Sequence, residues 1–191
     1  PRTATAARAN DNTSPTGQLR NGVLTVRLVA RSASWRPDGG SGCALAVRAF
    51  AEEGSAAALI PGPLIRVRAG TAVHVRVHNA LTTRIWVRGL QDRGPGELAA
   101  IDVAAGAIHE FTFVANTPGA WYYWAGSAKT DVPASNADGQ LVGALVVDPP
   151  AEPGKAAAAD RILVLTRWTP TGTPDNGGFQ LNAFNGRSWP N

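Results

Sequence analysis

The sequence is poor in several residue types, and each shortage excludes a class of structure or function. It contains one cysteine and no methionine in 191 residues. With Cys43 as the single thiol, no disulfide can form within the chain. No apolar run approaches the roughly 18 residues that predict a membrane span. Charged residues make up only 17% of the chain, and the arginines are scattered singly, so no nucleic-acid surface is predicted, because that needs a basic cluster.

Residues that favour strands and turns are abundant instead. The chain has 21 Gly, 14 Pro and 6 Trp, a composition that favours β-strands over helices. It opens with Pro1 followed by Arg, Thr and Ala residues and lacks an initiating methionine. Such a start is typical of a chain from which a targeting segment has been removed, and it predicts an exported protein, periplasmic or secreted.

Alternation of apolar and polar residues predicts a series of short strands. From residue 23 to residue 30, one face carries Leu24, Val26, Leu28 and Ala30, the period of a half-buried strand. Further strands are predicted at residues 64–68, 72–78, 84–87, 108–114, 120–125, 140–147 and 161–166. Short strands separated by Gly and Pro turns, without a helical period, predict an all-β fold, a Greek-key antiparallel β-sandwich.

Composition also divides the chain into four segments. Residues 1–18 are predicted to be a flexible polar tail, and residues 19–150 a complete sandwich domain. Residues 151–160 have the Pro, Gly and Ala content of a linker. Residues 161–191 are predicted to begin a second domain, which is incomplete because they contain too little apolar surface for a core of their own.

Four separated segments then resemble one family in order and spacing. They are Pro61–Val67, His74–Asn79, Phe111–Trp124 and Asp138–Val147. Together they are similar to the first cupredoxin domain of the multicopper oxidases, the laccase-like enzymes, over about residues 19–150. The later stretch Asn185–Pro190 resembles the start of the family's next domain, so the resemblance implies two cupredoxin-like domains, the second incomplete.

The resemblance also implies a copper site, and this chain departs from it. In the family, two His-x-His pairs of this domain join two more from the last domain to hold a trinuclear copper cluster that reduces dioxygen to water. Here the first pair falls on Trp86 and Arg88, and the second on Trp124 and Gly126. Tryptophan and arginine offer only N–H donors, and glycine has no side chain, so none can ligate copper. Copper is therefore expected in the complete protein but not on this chain.

The remaining potential ligands do not form an obvious substitute site. His74 and His78 lie four residues apart on one predicted strand, about 13 Å at a rise of roughly 3.3 Å per residue. His109 lies on another strand, and a pairing across strands remains open. Cys43 lacks the neighbouring histidine of a blue-copper site. It is expected to be a partly exposed thiol or to bridge to sequence outside this chain.

Five aromatic residues allow two interpretations, which stay open at this point. Trp86, Trp121, Tyr122, Tyr123 and Trp124 could pack in a sandwich core, where aromatic residues are common. Alternatively, these rings fill the vacated copper site and pack against a later domain.

Two functions of different class follow from the resemblance. In the first, the chain is the N-terminal part of an exported multicopper-oxidase-like protein. That protein would oxidise phenolic, amine or metal-ion substrates with dioxygen, and this segment would be an inactive scaffold. In the second, the chain is a non-catalytic cupredoxin-like module for binding or assembly. The expected partners are the remaining cupredoxin domains or another chain, and a homo-oligomer is a further option.

Overall fold

The computed structural model describes residues 5–40, 42–94, 98–129, 132–133, 137–150, 160–169 and 181–188. Almost all regular structure in these residues is β-strand. The strands are β1 (Thr5–Ala9), β2 (Gln18–Arg20), β3 (Val23–Trp35), β4 (Leu45–Glu52), β5 (Ala58–Ile60), β6 (Gly62–Arg68), β7 (Thr71–Asn79), β8 (Ile85–Arg88), β9 (Ile101–Val103), β10 (Ile108–Ala115), β11 (Gly119–Gly126), β12 (Val142–Asp148), β13 (Leu165–Trp168), β14 (Leu181–Phe184) and β15 (Arg187–Ser188). A 3-10 helix spans Ala137–Gln140. None of the described helical residues forms an element long and apolar enough to cross a membrane.

The strands form three sheets. The first has the order β1-β5-β4-β3-β7-β10, with β2 beside β3, and the second has the order β6-β12-β11-β8-β9. The third contains β13, β14 and β15. The predicted all-β sandwich is confirmed, but its sheets are mixed rather than wholly antiparallel. Crossovers place β3 parallel to β7, β6 parallel to β12, and β1 parallel to both β3 and β5.

The main core lies between the first two sheets. The predicted alternation in β3 is confirmed, since Leu24, Val26, Leu28 and Ala30 are all buried in this core. Every second residue of β7 (Val73, Val75 and Val77) is also fully buried there. The second sheet contributes Ile65, Tyr123, Leu145 and Val147 from the opposite side. Burial of these apolar faces is the main force that holds the sandwich together.

The N-terminal prediction was wrong for the first strand. Residues 1–18 were expected to form a flexible tail, but β1 pairs with β5 and with the end of β3. After it, Asn10 N donates to Ile60 O at 2.9 Å, and Thr16 N donates to Leu64 O at 2.7 Å. Backbone hydrogen bonds of this kind need no apolar period, which is why the pattern of side chains gave no sign of them.

The C-terminal strands pack on the outer side of the first sheet. Trp168 of β13 and Ala183 of β14 are buried against Trp35 and neighbouring small residues of β3 and β4. The strand expected at residues 161–166 begins later, at Leu165. Of the predicted linker, residues 151–159 lie outside the described part of the chain. That residues 161–191 begin a second domain stays a prediction.

Two buried asparagines join the N-terminal segment to the C-terminal segment. Asn12 Nδ2 donates to Asn185 Oδ1 at 3.1 Å and to Ile162 O at 3.3 Å. Asn185 Nδ2 also donates to Ile162 O, at 3.0 Å, and Asn185 Oδ1 accepts from Val164 N at 2.9 Å. Both residues are less than a tenth exposed, and the N–H donors of the Asn12 amide depend on the C-terminal segment for both of their acceptors. This pair is called the asparagine latch below.

Candidate functional site

The four positions singled out by the sequence come together on one face of the second sheet. β8 runs antiparallel to β11, with Arg88 directly opposite Trp124 and Trp86 directly opposite Gly126. On β8 the intervening Val87 points into the core and is fully buried. Trp86 and Arg88 therefore lie on the outer face, because successive side chains of a strand point to opposite sides. Directly opposed residues of neighbouring strands lie roughly 4.5 to 5.5 Å apart, measured between Cβ atoms. Trp86, Arg88, Trp124 and Gly126, called the quartet below, therefore have the spacing of a shared site.

The quartet is packed rather than open. Trp124 is 4% exposed and Arg88 is 8% exposed. The Trp124 ring lies 5.3 Å from the ring of Tyr122, at an interplanar angle of 45°, which is a favourable tilted arrangement for aromatic rings. The Arg88 guanidinium donates to the carbonyl oxygen of Leu98. These contacts fix the side chains of two of the four positions.

Lys129, which was not identified from the sequence, lies beside Trp86 of the quartet. The Lys129 ammonium lies 5.4 Å from the ring centroid of Trp86, within the range of a cation–π interaction. Lys129 follows the end of β11 by three residues, in a loop where no strand period predicts its direction. Its position depends on tertiary structure, and the local sequence carried no signal for it.

Copper does not fit this arrangement. Trp86, Arg88 and Trp124 present only N–H donors, and Gly126 presents no side-chain atom at all. The positive charges of Arg88 and Lys129 also oppose a cation beside them, since like charges at short range repel. Across the described residues, no group of three or more His, Cys, Asp or Glu side chains is placed to hold a metal ion.

The three histidines and the cysteine lie elsewhere. His74 and His78 lie on the outer face of β7, and His109 is exposed on β10. His74 Nε2 is 3.4 Å from Glu110 Oε2, and its Nδ1 is 3.2 Å from the hydroxyl of Thr112. Cys43 is exposed. The structure therefore brings none of these residues into the quartet.

The five aromatic residues divide between the two faces of the second sheet. Tyr123 is fully buried in the main core, where its ring lies 5.4 Å from Phe50 and its hydroxyl donates to Pro63 O at 2.7 Å. Burial raises the pKa of Tyr123, and the charge of Glu52 adds to this effect. Trp121 packs partly against the same core. Core packing is thus observed for Tyr123 and Trp121, whereas Trp86, Tyr122 and Trp124 lie on the outer face of the sheet. That these outer rings fill a vacated copper site and pack against a later domain stays a prediction.

A turn after β8 holds the quartet against β11. Gly89 has φ +82°, and a Cβ there would lie 2.5 Å from Tyr122 O, so only glycine fits. Arg93 donates to Gly89 O at 3.2 Å and to Tyr122 O, and its guanidinium lies 5.5 Å from the ring of Trp121. Burial lowers the pKa of Arg93. Arg93 thereby ties the turn to both neighbouring strands.

Asp92 fixes the same turn to the segment before β11. Its carboxylate accepts from the backbone N–H groups of Arg93, Asn116 and Thr117, each at 3.0 Å, and from Asn116 Nδ2 at 3.2 Å. Burial alone would raise the pKa of Asp92, but these hydrogen bonds favour the charged form and lower it.

Comparison with known proteins gives one family and one fold. The family model for multicopper oxidases matches residues 56–152, just over half of the chain. No curated protein matches the sequence. Among solved structures, the multicopper oxidase mgLAC matches with a TM-score of 0.63 and 21% identity, over 87% of this chain and 54% of that one.

Two further structures show the same likeness. A copper nitrite reductase from Nitrosomonas europaea has a TM-score of 0.63 and 21% identity, over 86% of this chain and 57% of its own. A blue copper oxidase from Nitrosomonas europaea has a TM-score of 0.61 and 20% identity, over 87% of this chain and 54% of its own. At these identities the likeness concerns the fold. The chain spans little more than half the length of these proteins.

Proposed function

Because the chain belongs to the multicopper oxidase family, we propose that it is the N-terminal part of an exported multicopper-oxidase-like protein and serves there as a scaffold without copper of its own. The coppers are bound by other parts of that protein. Its reaction is the copper-dependent oxidation of phenolic, amine or metal-ion substrates with dioxygen. The scaffold proposal is carried by the quartet, whose four positions match the family's ligands by resemblance and offer no copper ligand.

The packing of the quartet supports a structural role for it. Trp124 is almost fully buried, and burying a large side chain contributes roughly 1.5 to 3 kcal/mol. A desolvated metal site contributes to stability only when its ligands are present and the metal is bound. With tryptophan in place of a ligand, this part of the sheet is stabilised by packing, together with the Arg88 hydrogen bond to Leu98 O and the contact of Lys129 with Trp86. The Lys129 ammonium lies 5.4 Å from the Trp86 ring centroid, and its positive charge disfavours a metal cation beside the quartet.

The third sheet supports the proposal that residues 161–191 begin a second cupredoxin-like domain. Leu165 and Phe184 lie directly opposite each other on β13 and β14 and are 57% and 50% exposed. The other face of this sheet is buried through Trp168 and Ala183. The exposed face of the third sheet also carries Arg167 and Asn182, so its apolar part is the Leu165–Phe184 pair, which a second layer would cover. We propose that this layer comes from the remaining cupredoxin domain or from another chain.

Metal analysis tests the scaffold proposal directly. The 191-residue chain is dialysed against Cu(II), then buffer, and its copper is measured by inductively coupled plasma mass spectrometry. The expected result is no stoichiometric copper and no dioxygen uptake with a phenolic substrate. A matched variant with His74, His78 and His109 all changed to alanine identifies any copper held by surface imidazoles. One equivalent of copper that survives in this variant would contradict the scaffold proposal.

The protein in its natural source tests the oxidase proposal separately. Its intact mass is measured by denaturing mass spectrometry, and its copper content is measured in the same preparation. A mass well above 19.8 kDa together with bound copper is the expected result. A copper-free protein after loading with the metal would overturn the oxidase function. A non-catalytic role in binding or assembly would then take its place.

A further inference from the structure

Strand β10 forms an edge of the first sheet. Among the described strands it pairs only with β7, in one unbroken antiparallel register from Ile108 opposite His78 to Ala115 opposite Thr71. Of the edge strands in the second sheet, β6 contains Pro63 and β9 has three residues. Prolines, lysines, bulges and shortness protect an edge from pairing with another chain. β10 has eight residues and none of these features. Its free side is called the β10 edge below.

The backbone groups that face the β10 edge follow from the ladder with β7. Just before the strand, Asn79 N donates to Ala107 O at 2.9 Å, so residue 107 directs its backbone groups toward β7. Directions alternate along an antiparallel strand, so residues 109, 111 and 113 also bond to β7. The alternate residues direct their N–H and C=O groups toward the β10 edge: Ile108, Glu110, Thr112 and Val114. They offer donors and acceptors to a further strand.

Both faces of β10 leave apolar area uncovered. On the outer face, Ile108 is 47% exposed and Val114 is 43% exposed. On the inner face, Phe111 and Phe113 pack against the main core but are only partly buried. A further strand at the β10 edge would cover part of all four side chains, and burial of apolar area favours such an addition.

The sequence of β10 is complementary to itself in one antiparallel register. When Phe111 lies opposite Phe111 of a second copy, Ile108 lies opposite Val114 of that copy, and Glu110 lies opposite Thr112. The two exposed apolar residues then meet at each end of the ladder. A register centred on Glu110 would oppose two carboxylates, which is destabilising. A register centred on Thr112 would place Glu110 opposite Val114.

The charge of Glu110 is compensated within its own chain. Arg76 Nε lies 3.2 Å from Glu110 Oε1, and His74 Nε2 lies 3.4 Å from Glu110 Oε2. In the register centred on Phe111, the two copies of Glu110 are diagonal neighbours, about 7 to 8 Å apart. The Arg76 of each copy reduces the repulsion between them.

We propose that β10 pairs with β10 of a second copy of this chain, antiparallel and centred on Phe111, so that two first sheets join into one continuous sheet. About eight backbone hydrogen bonds form, because each of four opposed pairs exchanges two. Strand addition of this kind gains affinity from the main chain and specificity from the side chains. The two ends of the ladder are closed by the contacts of Ile108 with Val114.

Sedimentation velocity of the 191-residue chain over a range of concentrations tests for this dimer. A reversible dimer with a dissociation constant below roughly 100 µM is expected. Amide hydrogen exchange, measured by NMR at low and high concentration, locates the interface. Exchange at residues 108, 110, 112 and 114 is expected to slow about tenfold in the dimer. Residues 109, 111 and 113 change less, because their amides already bond to β7.

Substitutions of Thr112 test the register. Thr112→Glu places a carboxylate opposite Glu110 of the second copy and is expected to weaken the dimer about tenfold, because two such pairs form. Thr82→Glu makes the same charge change at an exposed threonine outside β10 and is expected to leave the dimer unchanged. Thr112→Lys places opposite charges together and is expected to tighten the dimer about two- to tenfold.

Cysteine cross-linking tests the register independently, in a Cys43→Ala background that removes the native thiol. Phe111→Cys is expected to form a disulfide between two copies, because the two residues face each other. His109→Cys is the matched control on the same face of β10. In this register the two copies of residue 109 are offset by about 13 Å along the strands, so cross-linking is expected to be about tenfold slower.

Several results would overturn the proposal. One is a chain that stays monomeric up to roughly 1 mM. Equal effects of Thr112→Glu and Thr82→Glu, or equal cross-linking by Phe111→Cys and His109→Cys, would also overturn it. A dimer whose slowed amides lie in β13 and β14 would assign self-association to the third sheet instead.

Discussion

Gly143 is predicted to be the position in the second sheet least tolerant of an added methyl group. It lies in β12 directly opposite Tyr123 of β11. A Cβ at residue 143 would lie 2.3 Å from Tyr123 Cζ and 2.4 Å from its hydroxyl oxygen. Real contacts of Cβ atoms are essentially never shorter than 3.0 Å. In Gly143→Ala the tyrosine ring or the strand must therefore move.

The ring has little room to move. Tyr123 is fully buried, packs against Phe50, and donates a 2.7 Å hydrogen bond to Pro63 O. Overpacking of a core costs roughly 1 to 3 kcal/mol, and the loss of the buried hydrogen bond adds about 1 to 2 kcal/mol. Gly143→Ala is therefore expected to lower the free energy of unfolding by about 2 to 5 kcal/mol, a large part of the stability of an ordinary domain.

Urea unfolding followed by tryptophan fluorescence measures this loss. Gly94→Ala is the matched control, since nothing lies within 4 Å of a Cβ at that residue. Its free energy of unfolding is expected to stay within about 0.5 kcal/mol of the original. Tyr123→Phe is expected to cost about 1 to 2 kcal/mol through the hydrogen bond alone. A Gly143→Ala chain as stable as Gly94→Ala would refute the reasoning.

Two further predictions concern the candidate site. Asp92→Asn is expected to remove a pH-dependent part of the stability. The pKa of Asp92 is lowered in the folded chain. Its contribution to the free energy of unfolding is therefore present at pH values above the ordinary pKa of about 3.9 and is lost as the pH falls through the folded-state pKa. Unfolding curves of the original chain and of Asp92→Asn that shift in parallel from pH 7 to pH 3 would contradict this. Arg88→His with Trp124→His is expected to gain copper, because opposed imidazoles can share one ion. Trp124→His alone is expected to gain none, and equal copper in the two variants would count against the ligand assignment.

The periodic parts of the fold could be predicted from the sequence. The alternation from Leu24 to Ala30 indicated which face of β3 is buried, because burial of a sheet face imposes a period of two on the side chains. The family resemblance assigned Trp86, Arg88, Trp124 and Gly126 to ligand positions of one site, but the pairing of Trp86 and Arg88 with β11 was not predicted. The strand after residue 160 was predicted four residues early, since an apolar run alone does not define where pairing begins.

Contacts that depend on tertiary structure could not be predicted. β1 is held by backbone hydrogen bonds to β5, and the sequence of neither strand indicates that the two pair. Lys129 reaches Trp86 from a loop, where side-chain direction follows no period. Nothing in the sequence distinguishes Thr166 from another strand threonine, although its hydroxyl has no hydrogen-bond partner among the residues that the structure describes. In each case the contact depends on segments that are far apart in the sequence and come together only in the folded chain.

The asparagine latch sets an order for folding during synthesis. Asn12 and Asn185 are 173 residues apart, so at roughly 5 to 20 residues per second a ribosome needs about 9 to 35 s to make the second after the first. Through that interval the Asn12 amide lacks its partner, and the outer side of the first sheet, with Trp35 and Val47, lacks the cover of Trp168 and Ala183. The nascent chain thus exposes this apolar surface until the C-terminal strands have been synthesised.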